Sequence, residues 1–309
     1  MPTNRREEPM ADAKMREQMG KGQGFIAALD QSGGSTPGAL KQYGVPESEY
    51  HGEEAMFAAV HALRVRIMTA PSFHGPKVLA AILFEATMDG QAHGSPVPAY
   101  LWKERAIVPF LKCDKGLEDE KDGISLLKAI PGLDALLARA VANGVYGTKM
   151  RSVIHRATRK GVGSIVAQQF EIGERIARHG LMPILEPEVS IKAPDKAEAE
   201  AMLRDELLRG LDRLGPGREV MLKLTIPTTP GFYAPLIAHP SVLRVVALSG
   251  GYSRAEACAK LAQNPGMIAS FSRAFAEDLR KSMTEAEFDA ALAVAVEEIY
   301  RASTVKAVA

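Results

Sequence analysis

The segment EVMLKLTIPTTPG, residues 219–231, sets an ammonium group inside an apolar run. Val220, Met221 and Leu222 precede Lys223, Leu224, Thr225 and Ile226 follow it, and Pro227 and Pro230 mark where the run ends. Lysine enters a protein interior only when it is paired or chemically employed. For such a residue, burial and a neighbouring cation both disfavour the ammonium form, leaving a free amine able to attack a carbonyl. Lys149 and Lys112 are the candidate cations. The protonated imine that follows is an electron sink for an adjacent carbon–carbon bond, and it needs a group to shuttle protons. Glu186, in LMPILE, suits that duty, because similar surroundings tune carboxylates toward neutral pH.

These groups meet only if the chain gathers the ends of several strands. Apolar runs at 24–30, 78–85, 106–112, 145–150, 181–186, 219–224, 244–249 and 267–272 have the continuous character of parallel strands buried on both faces. Segments with helical apolar spacing separate them, including SLLKAIPGLDALLARAVANG, VGSIVAQQFEIGERIARHG and PDKAEAEAMLRDELLRGLDRLG, and several close on Gly. Strand then helix, eight times, predicts an α/β fold of the (β/α)8 TIM-barrel type. A doubly wound open sheet is the alternative, but SGGSTPG after the first run is no dinucleotide fingerprint. EEAMFAAVHALRVRIMTA reads as one long helix, and APSFHGP and GQAHGSPVPAY read as barrel loops. The expected organisation is a single barrel domain over residues 1–309, with an N-terminal helical extension and a C-terminal amphipathic helix in MTEAEFDAALAVAVEEIYRASTVKAVA. That last helix has two places to pack, the barrel or a second copy in a homo-oligomer.

Chemistry in such barrels sits at the carboxyl ends of the strands. The runs end, in order, on Asp30, on Lys112, on Lys149 with Arg151, on Glu186 with Glu188 and on Lys223. Ser249-Gly250-Gly251 follows the seventh and Ser272-Arg273 the eighth. Singly, these have plain readings: Asp30 a turn former, Lys112 a solvated rim residue, Arg151 and Arg273 partners of Glu188 or another carboxylate. Together they suit an anion. Backbone N–H groups of the Ser-Gly-Gly turn, with Ser272 and Arg273, lie where these barrels often bind phosphate. Asp30-Gln31-Ser32-Gly33-Gly34-Ser35 offers hydroxyls and amides to a second, so a substrate with phosphate at either end is expected.

Composition narrows the alternatives. Of 309 residues, 46% are apolar and 24% charged, as in a globular protein. The 38 Lys and Arg balance 37 Asp and Glu, leaving no field to attract nucleic acid or an anionic membrane. No apolar run has signal-peptide or membrane-spanning character, so a cytoplasmic location is expected. Cys113 and Cys258 read as reduced apolar fillers. None of the seven histidines falls in a predicted strand or at ligand-like spacing, so no metal is expected and zinc-assisted aldol chemistry is disfavoured. A glycosidase using Glu186 and Glu188 is the second rival, weakened by Pro187 and the surrounding lysines. A third is a barrel that binds phosphosugars without turnover.

The segments AALDQSGGS, FLKCDKG, GTKMRSV, PILEPEV, MLKLTIPTTPG, LSGGYSRAEA and SFSRAF, in this order from about residue 24 to 275, resemble the lysine-dependent (class I) fructose-bisphosphate aldolases. The resemblance implies reversible aldol cleavage of fructose 1,6-bisphosphate to dihydroxyacetone phosphate and glyceraldehyde 3-phosphate, in glycolysis or gluconeogenesis, without a cofactor; a related ketose phosphate is the alternative substrate. It implies Lys223 as the Schiff-base lysine, Glu186 as the main acid/base, Asp30 as a carboxylate near the substrate hydroxyls and Lys149 as an aid to the carbinolamine and imine steps. Lys112 and Arg151 then contact the far end of the sugar bisphosphate, with Glu188 in support. Ser249, Gly250, Gly251, Ser272 and Arg273 fall at the ketose-side phosphate, and Ser32 with Ser35 at the opposite one. Two positions depart from the animal enzymes: Gln31 stands where they have an acid, and Ser272 where they have glycine. The chain also lacks their terminal tyrosine, so the shorter bacterial branch is the closer likeness.

Overall fold

The computed structural model describes residues 10–32 and 36–307. Each predicted run forms a strand: β1 (Phe25–Leu29), β2 (Val78–Leu83), β3 (Val108–Lys112), β4 (Gly147–Ile154), β5 (Met182–Val189), β6 (Val220–Thr225), β7 (Val242–Leu248) and β8 (Met267–Phe271). Each pairs in parallel with the next, and β1 pairs with β8, closing the expected (β/α)8 barrel. The seam between β3 and β4 sets Phe110 against Gly147 and Lys112 against Lys149. Glycine is required there: a Cβ at 147 would lie 2.3 Å from the Met182 carbonyl and 2.6 Å from the Phe110 ring. β4 and β5 run past their predicted ends, so Arg151 and Glu188 stand on strands rather than in loops.

Two apolar layers result from the two-residue period of a strand. Ile26, Ala28, Ile82, Phe110, Ile184, Met221, Val246 and Ile268 fill the barrel interior. Their neighbours in sequence, among them Leu29, Leu83, Leu185, Leu222 and Leu224, pack outward beneath the helices. Each Leu, Ile, Val, Phe or Met side chain among them contributes about 1.5–3 kcal/mol by leaving water. Alternation therefore fixes the sense of β6: Met221 faces in, so Lys223 faces in, one layer higher.

The helices are α1 (Met10–Lys21), α2 (Thr36–Tyr43), α3 (Gly52–Thr69), α4 (Val97–Arg105), α5 (Leu133–Ala142), α6 (Arg159–Arg178), α7 (Lys196–Leu211), α8 (Arg254–Ala262) and α9 (Glu285–Thr304), with a few single turns besides. The long helix expected in the fifties and sixties is α3. GQAHGSPVPAY is not simply loop: Gln91–Ala92 pairs with Ser95–Pro96, and α4 starts directly after. α2 was likewise not expected. Both helices carry proline in the first turn, Pro37 and Pro98, where its missing N–H breaks nothing. The helix expected in SLLKAIPGLDALLARAVANG starts only at Leu133, because Pro131 and Gly132, the latter at φ 69°, interrupt it.

α1 seals the amino end of the barrel. Met15 and Met19 join the interior cluster. Arg244 donates to the carbonyls of Met19 (2.9 Å) and Gly20 (2.7 Å), and Gln18 to those of Leu79 and Ala106, both at 2.8 Å. α9 packs on the barrel through Phe288, Leu292, Val296 and Ile299, starts in a Thr284/Glu287 capping box, and gives Ser303 Oγ as acceptor to the amide of Ala269 in β8. Among the described residues no helix is long and apolar enough to cross a membrane.

Candidate active site

A cavity of about 650 Å³ opens at the carboxyl ends of the strands. Asp30, Ser32, Lys112, Lys149, Arg151, Glu186, Glu188, Lys223, Ser249, Gly250, Ser272 and Arg273 all line it. Gly251 stands at its edge, where an added Cβ would lie 3.9 Å from Arg273 Nη2. Ser35 lies outside the described residues, together with Gly33 and Gly34.

Four charged groups form the centre. Lys149 Nζ lies 2.6 Å from Asp30 Oδ2 and 2.9 Å from Glu186 Oε2, and Lys223 Nζ lies 3.0 Å from Glu186 Oε1. Glu186 thus stands between the two lysines. From the sequence, Lys149 and Lys112 are the expected cations and Glu186 the expected proton shuttle; the structure sets Glu186 directly against Lys223, because residue 186 on β5 is an inward position facing β6, with Lys149 on its other side. Glu186 Oε2 makes no well-angled hydrogen bond among the described residues, so its approach to Lys149 is an ion contact. All four are nearly excluded from solvent, Lys223 at 4% exposure. Burial alone pushes the Asp30 carboxyl up, but Lys149, Lys223 and Lys112 outweigh it and hold the group well below the usual carboxylate range. Burial likewise works against the Lys149 ammonium, and Asp30, Glu186 and Asp114 reverse that, holding it above the usual lysine value.

Around this centre lies a second tier. Arg151 Nε donates to Glu188 Oε2 at 2.5 Å; these neighbouring strands bring both side chains inward in phase. Burial lowers the Arg151 pKa less than Glu188 and Glu186 raise it. After β7, Gly250 and Gly251 adopt φ of 63° and 118°, left-handed backbone that favours glycine. Arg273 is exposed beside them and makes no ion pair among the described residues. The lining holds five cations, Lys112, Lys149, Arg151, Lys223 and Arg273, against four carboxylates, Asp30, Asp114, Glu186 and Glu188, so it suits an anionic ligand.

Three contributors have no role in the sequence reading. Asp114 accepts from Lys112 Nζ (2.6 Å) and from the amides of Gly116 (3.1 Å) and Arg151 (3.2 Å), fixing the lysine and the loop after β3. Its signal was its place two residues after Lys112 in FLKCDKG. Ser270 is buried in β8, its hydroxyl without a partner among the described residues, and lines the cavity; the strand period places it in phase with Ser272. Arg64, on α3 and 1% exposed, donates to Thr87 Oγ1 (2.8 Å) and to the carbonyl of Gln31, just behind Asp30. Burial brings its pKa down to about 10 despite Asp30. Its place in an apolar helical pattern gives no hint of this.

Fold and site together define a (β/α)8 barrel with a buried lysine–carboxylate centre in a cavity rich in cationic side chains. No family model matches the chain. It is 55% identical over 280 residues to fructose-bisphosphate aldolase class 1 of Synechocystis sp., covering 91% of this chain and 93% of that one. It is 53% identical over 287 residues to the same-named protein of Porphyromonas gingivalis, covering 93% and 97%. The chain belongs to the class 1 fructose-bisphosphate aldolase family. In fold it is similar to the Plasmodium falciparum fructose-bisphosphate aldolase (TM-score 0.75, 19% identity, 98% of each chain). It is also similar to an archaeal fructose-1,6-bisphosphate aldolase solved with its catalytic lysine bound to the carbinolamine intermediate (TM-score 0.53, 11% identity, 94% of this chain and 99% of that one).

Proposed function

We propose that this protein cleaves fructose 1,6-bisphosphate reversibly to dihydroxyacetone phosphate and glyceraldehyde 3-phosphate through a Schiff base on Lys223. The observation that carries the reading is the inward Lys223 amine 3.0 Å from a carboxylate that also contacts Lys149. Glu186 takes the proton of the Lys223 ammonium, the amine adds to the ketone carbon, and Glu186 returns a proton to the carbinolamine oxygen as it leaves as water. A carboxylate abstracts the proton of the hydroxyl beyond the scissile bond. That bond's electrons pass to the iminium nitrogen, the aldehyde departs, and the enamine left on Lys223 is protonated at carbon and hydrolysed. Asp30 is suited to the abstraction because the lysines keep it ionised. Lys149 holds Asp30 and Glu186 in place and offsets their charge. Ser249–Gly251 and Arg273 bind the ketose-side phosphate, with Ser32 and Ser35 at the opposite one; Lys112, Arg151 and Glu188 contact the sugar chain.

Borohydride reduction with dihydroxyacetone phosphate, followed by peptide mass mapping, tests this. A stable adduct is expected on the peptide containing Lys223, and none in Lys223→Met, which keeps the fold but loses cleavage. An adduct on another lysine, or an active Lys223→Met protein, defeats the assignment.

A further inference from the structure

We infer that Gln31 is a positioning residue: it makes the Ser272 hydroxyl a hydrogen-bond donor toward the ketose-side phosphate. The inference rests on the proposed phosphate cradle at Ser249–Gly251 and Arg273. Gln31 Nε2 lies 2.6 Å from Ser272 Oγ and 3.5 Å from the carbonyl oxygen of Ala28. A carbonyl can only accept, so it is the amide nitrogen of Gln31 that faces this side, and Ser272 Oγ receives its hydrogen bond. The serine proton then points away from Gln31. Both residues line the cavity, and Arg273, the residue after Ser272, has no carboxylate partner among the described residues. A phosphate dianion offers acceptors alone, so what it needs at this rim is an O–H turned outward beside a guanidinium.

Gln31 is itself held in place. Arg64, buried and also bonded to Thr87, donates to the Gln31 carbonyl and pins the backbone from below. Positions 31 and 272 lie 241 residues apart in the chain, and they touch each other. An acid at 31 would accept the serine proton, turning the hydroxyl inward, and would set a negative charge beside the phosphate. With glycine at 272 there is no hydroxyl to turn. The two residues therefore work as one unit, and changing either alters what the other presents to the ligand.

Steady-state kinetics in the condensation direction test this, because the two phosphates enter on separate substrates. Gln31→Glu should raise KM for dihydroxyacetone phosphate by about tenfold, the worth of one reversed hydrogen bond to a charged group, and leave KM for glyceraldehyde 3-phosphate within about twofold. Gln31→Met, similar in volume but without a donor, should raise the first KM by less. In a Ser272→Gly background, Gln31→Glu should add a clearly smaller factor than it does alone. Equal increases in both KM values, a larger effect from Met than from Glu, or the same factor in the Ser272→Gly background would overturn the inference. Arg273→Met separates it from the reading beneath: an unchanged KM for dihydroxyacetone phosphate removes the cradle, whereas a raised one with Gln31→Glu silent removes only the role of Gln31.

Discussion

Replacing Lys149 by methionine removes one of two cations from a buried set of two carboxylates and two ammonium groups. The wild-type set is neutral; the variant carries one net negative charge. Lys149 Nζ lies 2.6 Å from Asp30 and 2.9 Å from Glu186. Unit charges at the shorter distance attract by about 6 kcal/mol at an effective dielectric constant near 20. Solvation offsets part of this, and breaking a buried pair by deleting one partner costs about 3–5 kcal/mol. Spread over the two carboxylates, that moves the acid limb of the kcat/KM profile up by roughly 1–2 pH units. Methionine at 149 should also lower kcat/KM at neutral pH by about 10²–10⁴-fold, the usual worth of a positioned proton-transfer system. Lys149→Arg keeps the charge, so it should lose rate through its bulk while its acid limb stays put. Stability gives an independent check. The Asp30 pKa is depressed, so its contribution is present above the ordinary 3.8 and is lost as pH falls toward the folded-state value. The Lys149 pKa is raised, so its contribution is present below 10.5 and is lost as pH rises through the folded-state value. The Tm difference between wild type and Lys149→Met should therefore be greatest between about pH 5 and 9 and shrink below about pH 4. A Lys149→Met enzyme with an unmoved acid limb and a rate within about threefold of wild type would refute the coupling.

Arg64→Met leaves Thr87 Oγ1 and the Gln31 carbonyl without their donor, so thermal unfolding should reveal a loss of about 2–4 kcal/mol. Lysine at 64 should recover little, since one ammonium cannot reproduce the guanidinium fork. Gly250→Ala adds a Cβ 2.7 Å from Ile191 Cγ2 at φ 63°, which should displace the turn and raise KM for dihydroxyacetone phosphate by about tenfold or more. An unchanged KM would mean that the turn does not hold that phosphate. The Cys113 thiol is fully buried and pushed up to about 12 by burial and Asp114, so a thiol reagent at mildly alkaline pH should modify it only after denaturant is added. Prompt reaction in the folded protein would show that the loop after β3 opens readily.

Much of the barrel was legible because its signals are local. A continuous apolar run is a property of five to eight adjacent residues, and all eight such runs became strands. The failures were local as well. Pro98 read as part of a loop, yet it and Pro37 each sit in the first turn of a helix, where proline's fixed φ favours the helical start. Pro131 and Gly132 did the opposite, cutting short a helix whose apolar spacing looked unbroken. Four extra residues of strand in β4 and three in β5 decided that Arg151 and Glu188 meet as a pair facing inward.

The sequence by itself determined the order of the strands, the strand ends that carry Asp30, Lys149, Glu186 and Lys223, and most of the charged residues that reach the cavity, Asp114 being the exception. All of these follow from alternation along a strand and from the rule that barrel strands share one carboxyl end. Tertiary structure alone decided what touches what across the opening: Glu186 between two lysines, Asp114 beneath Lys112, Arg64 behind Asp30, and Gln31 against Ser272. Those contacts join residues up to 241 positions apart. They depend on how closure, stagger and twist of the sheet set inward side chains level with one another, and no pattern within a single strand encodes that.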